Sequence, residues 1–199
     1  MLKKSKVEKT KEKGDAMSEV ISAIALHELD SHEGQLVSRL LDLPHKILSH
    51  EDLEGLQQLI LYELAHDESF GFNRASYLID NPEFNCLKGV AGYDKKECGT
   101  SPGNPWDNPH DFVQHISQAV FHKQVASFMK HSLCSAHDKD PEADAIKVLS
   151  ENLGMENSSF ITWRMRHGNH GILLFEEGAL PHKRSPELLH HFVALLSLC

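Results

Sequence analysis

The sequence lacks two features that mark membrane-spanning and disulfide-stapled proteins. No apolar run approaches the ~20 residues that a membrane helix needs, and no apolar core follows the lysine-rich start, as it would in a secretion signal. The four cysteines are scattered without a C-x-x-C pair, which favours reduced thiols over a disulfide framework. These absences predict a soluble cytoplasmic protein.

Signatures of common enzyme classes are also missing. The chain has no nucleophile elbow, no phosphate-binding loop and no metalloprotease helix. We therefore assign no catalytic residue and expect a protein without catalysis of its own.

Basic residues are in the minority, with 20 Lys and Arg against 29 Asp and Glu and a net charge of -9. Six of the lysines fall within residues 1–13, so the rest of the chain is more negative still. Nucleic-acid backbones and anionic membranes are held chiefly by Lys and Arg, and an acidic body repels both. Neither nucleic acid nor membrane is expected as a partner.

What the chain does contain is the composition of one globular domain with an extension. Its 199 residues are 40% hydrophobic and 25% charged. We divide it into a disordered basic tail over residues 1–15, an N-terminal helical segment over 16–44 and a domain over 45–199. Pro44 is expected to end the helical segment, because proline removes a helix hydrogen bond.

Two stretches of the domain have the pattern of β-hairpins. Residues 72–79 and 84–92 are extended runs joined by turn residues. Residues 160–165 and 171–175 form a second pair, joined across a Gly-Asn turn.

Helices are expected around these hairpins. Ser49 is expected to cap a helix over residues 51–64, whose apolar residues form one stripe. Further helices are predicted from 109 towards 133, over 142–153, and from Ser185 to the end of the chain. Helices that alternate with hairpins favour an α+β fold, with an antiparallel sheet covered by helices.

Several of these segments resemble those of a GAF domain, the small-molecule sensor module of signalling proteins. Residues 70–75, Phe-Gly-Phe-Asn-Arg-Ala, resemble the entry to the first GAF strand, and residues 77–80 resemble its apolar-apolar-Asp ending. Residues 87–93 resemble the second strand, and residues 170–175 the penultimate one. The resemblance covers roughly residues 45–199 and implies a GAF-like antiparallel sheet flanked by helices.

Other GAF motifs are absent. Residues 94–160 show no obvious counterpart of the third strand. The Asn-Lys-x-Phe-Asp-Glu phrase of cyclic-nucleotide-binding members and the Pro-x-Ser-Asp-Ile-Pro phrase of phytochromes are missing, so neither cyclic nucleotides nor bilins are expected. The cofactor is left unknown.

The resemblance implies a non-catalytic sensory or regulatory domain. Its small-molecule ligand would lie between one sheet face and residues 94–160, lined by Phe121, His122, Trp163 and Arg164. GAF domains commonly dimerise through their N-terminal and closing helices, so a homodimer is expected. The signal would pass through dimer contacts or to a separate signalling protein.

An alternative is a metal- or thiol-dependent redox protein or enzyme on the same scaffold. His131, Cys134 and His137 have a spacing that could bring three ligands towards one metal ion. Cys98 lies near two lysines, whose charge would favour a redox-active thiolate. Spacing alone often gives false positives, and reactive thiols need a specific environment, so neither set is assigned as a metal or redox site.

Overall fold

The computed structural model describes only part of the chain. The contacts between residues group the chain into two units, residues 1–41 and residues 42–199. The tail predicted over residues 1–15 and the first part of the helical segment predicted over 16–44 lie outside the described residues. The described ranges are 32–50, 53–99, 104–134, 140–155, 157–178 and 186–198.

An antiparallel sheet of five strands forms the centre of the described fold. The strands are β1 (Phe72–Asn81), β2 (Cys86–Asp94), β3 (Met129–Lys130), β4 (Ser159–Arg164) and β5 (His170–Glu177). Their order across the sheet is β3-β2-β1-β5-β4, and every neighbouring pair is antiparallel. The predicted α+β fold and both predicted hairpins are confirmed.

Helices precede, separate and follow the strands. None of those in the described ranges has both the length and the apolar character needed to cross a membrane. They are α1 (His32–Ser49), α2 (Leu56–Ala65), α3 (Lys95–Cys98), α4 (Pro109–Gln118), α5 (Val120–Ala126), α6 (Ala143–Asn152) and α7 (Pro186–Val193), with short 3₁₀ turns at Arg166–Gly168 and Ala194–Leu198.

The first two helices differ from the sequence prediction at their ends. Helix α1 continues through Pro44, so the predicted end at this proline is wrong. Leu43 and Ile47 on either side are buried, and this packing offsets the hydrogen bond that the proline removes. Ser49 is also not a cap, because it lies in α1 and its Oγ donates to the His45 carbonyl oxygen at 2.8 Å.

The long helix predicted from 109 towards 133 is broken. Ala119 has an extended ψ of 141°, which separates α4 from α5. The Glu97 carboxylate then accepts the backbone N–H of Phe121 at 3.1 Å, in the first turn of α5. After α5 the chain forms the short strand β3, which pairs with Leu87 and Lys88 of β2.

One sheet face is buried under α5 and α6. Leu78 of β1 and Ile172 of β5 point to this face, where they pack in one apolar cluster with Phe121, Ile146 and Leu149 from the two helices. Because side chains alternate along a strand, the polar residues two positions away, Asp80 and His170, point to the same face.

Helix α5 lies close against β2 at two glycines. A Cβ atom on Gly89 would collide with the Val125 carbonyl oxygen, and one on Gly92 would lie 2.8 Å from Val125 Cγ2. Glycine at both positions therefore allows the helix to pack directly on the strand backbone.

The other sheet face packs against α2 and the C-terminal turns. The ring of Tyr62 in α2 lies 6.0 Å from that of Tyr93 in β2. Trp163 of β4 stacks on Tyr77 of β1 with ring centroids 5.7 Å apart, and its Nε1 donates to Ser197 Oγ at 2.6 Å. The central strands thus lie between two helical layers.

Candidate functional site

Phe121, the first of the four predicted ligand-binding residues, is a buried core side chain. Its ring lies under the Arg74 guanidinium, whose Cζ is 4.0 Å from the ring centroid. Arg74 is held there by ion pairs to Asp94 at 3.2 Å and Glu176 at 3.6 Å. The ring is therefore enclosed by protein groups in this structure.

His122, the next predicted residue, is only 8% exposed and has a polar neighbour at each ring nitrogen. Its Nδ1 accepts the backbone N–H of Gly92 at 3.3 Å, and the Gln58 amide nitrogen lies 3.1 Å from its Nε2. Burial lowers the pKa of His122, so the ring is neutral at neutral pH. These contacts join α5 to β2 and α2.

The other two predicted residues point to opposite sheet faces, because Trp163 and Arg164 are consecutive on β4. Trp163 belongs to the face covered by α2, on the far side of the sheet from Phe121. Arg164 is exposed and its Nε lies 3.3 Å from Asp140 Oδ1. The structure therefore does not bring the four residues together around one site.

Polar side chains do gather at another place, where β1 ends and β5 begins. Asp80 lies directly opposite His170, and His170 lies directly opposite Arg164 on β4. The Asp80 carboxylate is fully buried, and its Oδ2 accepts the backbone N–H of Leu133 at 3.1 Å. This hydrogen bond holds the segment after β3 over the end of the sheet.

His170 is the unusual member of this polar cluster, which comprises Asp80, Cys134, Asp140, Arg164 and His170. Its side chain is 1% exposed, yet neither ring nitrogen has a hydrogen-bond partner within the described residues. The Asp140 carboxylate approaches Nδ1 only to 3.7 Å. A buried polar group without a partner costs about 1–3 kcal/mol, so this imidazole is placed where a further hydrogen-bonding group would be stabilising.

The Cys134 thiol belongs to the same cluster but is not activated. Burial, a hydrogen bond to Asp80 and the charges of Asp80 and Asp140 raise the pKa of Cys134 to about 12. The thiol is therefore protonated at neutral pH and is a weak nucleophile.

Cys98 has a similar environment in α3. Its side chain is buried, and burial, with smaller contributions from Glu97 and Asp94, raises the pKa of this thiol. Of the two neighbouring lysines, Lys95 pairs with Asp67 at 2.5 Å. The local charges thus favour the neutral thiol rather than a redox-active thiolate.

The residues considered as an alternative metal set are not seen together. His131 is exposed, and its Nδ1 lies 3.2 Å from the Asn85 amide nitrogen. Cys134 lies beside Asp80, and His137 falls outside the described residues. Within the ranges that the structure describes, no group of three His, Cys, Asp or Glu side chains could hold a metal ion.

Asp80, His170 and Asp140 were not among the residues predicted from the sequence. Asp80 looked like the start of a turn, and His170 like the end of another. Asp80 and His170 come together through the strand order, because β1 and β5 are neighbours and their polar ends are in register, and no pattern within either segment predicts this pairing.

Comparison of the chain with protein-family models, with curated proteins and with solved structures gave no match. Arguments about function therefore rest on the geometry described above.

Proposed function

We propose that this chain is a GAF-like regulatory domain that binds a small molecule and has no catalysis of its own. The arrangement that supports it is a five-stranded antiparallel sheet between two helical layers, with α2 and the C-terminal turns on one face and α5 and α6 on the other. The ligand site we propose lies on the face of α5 and α6, at the polar cluster rather than at Phe121 and His122.

The observation that carries this proposal is the imidazole of His170, which is buried and has no hydrogen-bond partner among the residues that the structure describes. A neutral imidazole has one donor and one acceptor nitrogen, so it suits a ligand that carries both kinds of group. Asp80 and Asp140 add two carboxylates against the single cation of Arg164. This balance favours a small polar ligand rich in hydrogen-bond donors.

In the proposed regulatory role, the domain passes its signal to a second copy of the chain or to a separate protein. Leu48 near the end of α1 is 65% exposed, which gives that helix an apolar contact for a homodimer. We expect wild-type protein to sediment as a dimer and Leu48→Glu to sediment as a monomer. If the wild-type protein is monomeric, the signal can pass only to a separate partner protein.

The test of ligand binding is native mass spectrometry of protein purified directly from cells, compared with its denatured mass. We expect wild-type protein to carry a noncovalent small molecule and His170→Leu to lack it. His190→Leu is the matched control, since His190 is exposed on α7. A wild type without any adduct, and without a thermal shift in a screen of polar metabolites, would contradict the proposal.

A second candidate, a thiol-dependent enzyme, has one observation in its favour. The Cys134 thiol lies beside Asp80, which is opposite His170 on the sheet, so a thiol, a carboxylate and an imidazole, the groups of nucleophilic sites, belong to one cluster. The raised pKa of Cys134 argues against it.

Alkylation distinguishes the two functions. We expect iodoacetamide to label Cys134 at pH 7.5 roughly a hundredfold more slowly than it labels free cysteine, because little thiolate is present. Labelling as fast as that of free cysteine would favour the enzyme, and peptide mapping with a Cys134→Ser control would identify the modified residue.

A further inference from the structure

A groove of about 520 Å³ lies at the end of the β1–β2 hairpin. None of the described residues that line it belongs to the polar cluster, and Ile79 in its wall, which alternates with Leu78 and Asp80, points to the sheet face opposite to theirs. Ile79 pairs across the sheet with Lys88, and Lys88 pairs with Met129. Ile79 and Lys88 line the groove, and Met129 continues their row onto β3.

The walls of the groove are mainly apolar. Ile79, Phe84, Val90 and Ala126 line it. Phe84 is 76% exposed, and Met129, opposite Lys88 on β3, is 65% exposed, whereas Tyr77, on the same sheet face as Ile79, is buried. Large apolar side chains exposed together on a surface mark a binding site more often than chance placement.

Lys88 is the charged side chain among the residues that line the groove. It is exposed and makes no ion pair within the described residues. On the same rim, Asn81 is fixed by its Oδ1, which accepts the backbone N–H of Phe84 at 3.1 Å. A cationic group and an amide at the edge of an apolar groove are complementary to an anionic head on an apolar tail.

We propose that this groove binds one long-chain fatty acid. The hydrocarbon tail lies along Ile79, Phe84 and Val90, and the carboxylate pairs with Lys88. A neutral apolar ligand would have no group to pair with the Lys88 ammonium. The volume of the groove is within the usual 300–1,000 Å³ range of ligand sites, which accommodates a single lipid chain rather than a membrane surface. This site does not depend on the function proposed for the polar cluster.

The first experiment titrates the full chain with cis-parinaric acid, a fluorescent fatty acid, below its micelle concentration. We expect saturable binding of one molecule per chain. Lys88→Glu should weaken the affinity about tenfold, since it replaces an attraction by a repulsion. Lys147→Glu, the same charge change at an exposed site on α6, should bind as wild type does.

A second pair of variants tests the apolar wall. Phe84→Ser should weaken binding severalfold, whereas Val148→Ser, at a residue that is also exposed, should not. The methyl ester of parinaric acid should bind wild type and Lys88→Glu equally, because it has no charge to pair. All four substitutions are at exposed positions, so the variants should fold, and circular dichroism checks this.

Four results would overturn the assignment. The first is a wild type without saturable binding, and the second is equal affinity of Lys88→Glu and Lys147→Glu. The third is Lys88-dependent sedimentation with phosphatidylserine vesicles and no binding of free parinaric acid, which would make the surface a membrane contact. Binding lost in His170→Leu but kept in Lys88→Glu would also overturn it, by placing the fatty acid at the polar cluster.

Discussion

Two buried histidines on the same side of the sheet have opposite surroundings. His122 contacts Gly92 and Gln58 through its two ring nitrogens and joins a helix to a strand. His170 is buried more completely, yet its ring nitrogens have no hydrogen-bond partner in the described part of the chain. Burial alone therefore does not distinguish a structural histidine from one proposed to bind a ligand, and the comparison of their hydrogen bonds separates the two.

The largest expected effect is on the bonded histidine. His122→Leu should lower the free energy of unfolding by about 1–3 kcal/mol, because it leaves the Gly92 N–H buried without a partner, whereas the Gln58 amide keeps its hydrogen bond to Ser117 Oγ at 3.2 Å. Urea unfolding followed by circular dichroism measures this. The exposed control His190→Leu should stay within about 0.5 kcal/mol of wild type.

The pH dependence of stability should report on His122. Burial lowers the pKa of His122 in the folded protein, whereas the unfolded chain has the ordinary value of about 6.5. The unfolded state therefore binds more protons as the pH falls below about 6.5, and stability decreases there. The contribution of neutral His122 to the free energy of unfolding is fully present above pH 6.5 and is lost as the pH falls below that value.

A non-titrating side chain at this position should remove that contribution. Between pH 7 and pH 5, the unfolding free energy of His122→Gln should fall less steeply than that of wild type. The two slopes should differ by no more than about 1.4 kcal/mol per pH unit, the limit for one titrating group. If the curves of unfolding free energy against pH are parallel for wild type and His122→Gln, a group other than His122 causes the pH dependence.

The smallest effect is expected at the unbonded histidine. In ligand-free protein, His170→Leu should leave stability unchanged or raise it by up to about 1 kcal/mol, because an apolar side chain relieves an unpaired polar group. Urea unfolding beside the His122→Leu variant gives the comparison directly. A decrease of more than about 2 kcal/mol in the unfolding free energy would show that His170 has a structural partner, such as Asp140. The difference between His122 and His170 would then disappear.

The strands and most helices could be predicted because their signals are local. Alternating patterns joined by turn residues identified both hairpins, and the helix predicted over 142–153 is observed as α6. The errors at Pro44 and Ala119 arise where packing decides the outcome. Buried neighbours keep α1 intact through a proline, and a carboxylate from α3 helps to start a new helix after Ala119.

The candidate site could not be predicted in the same way, because it is made by contacts between distant segments. The prediction of Phe121 and His122 rests on their position and residue type, whereas their partners Arg74 and Gln58 come from other elements. Asp80 and His170 become neighbours only through the pairing of β1 with β5. A helical or strand pattern within either segment has no information about that pairing.

The order of the strands has a consequence for the folding pathway. Strands β1 and β2 are joined by a short turn and can pair early, whereas β5 must wait until the chain beyond β4 is available. The Asp80–His170 pair is therefore completed when this late strand docks beside β1. The proposed binding site therefore forms only when β5 completes the sheet. A partly folded or truncated chain without β5 would retain the β1–β2 hairpin but would not bind the ligand proposed for the polar cluster.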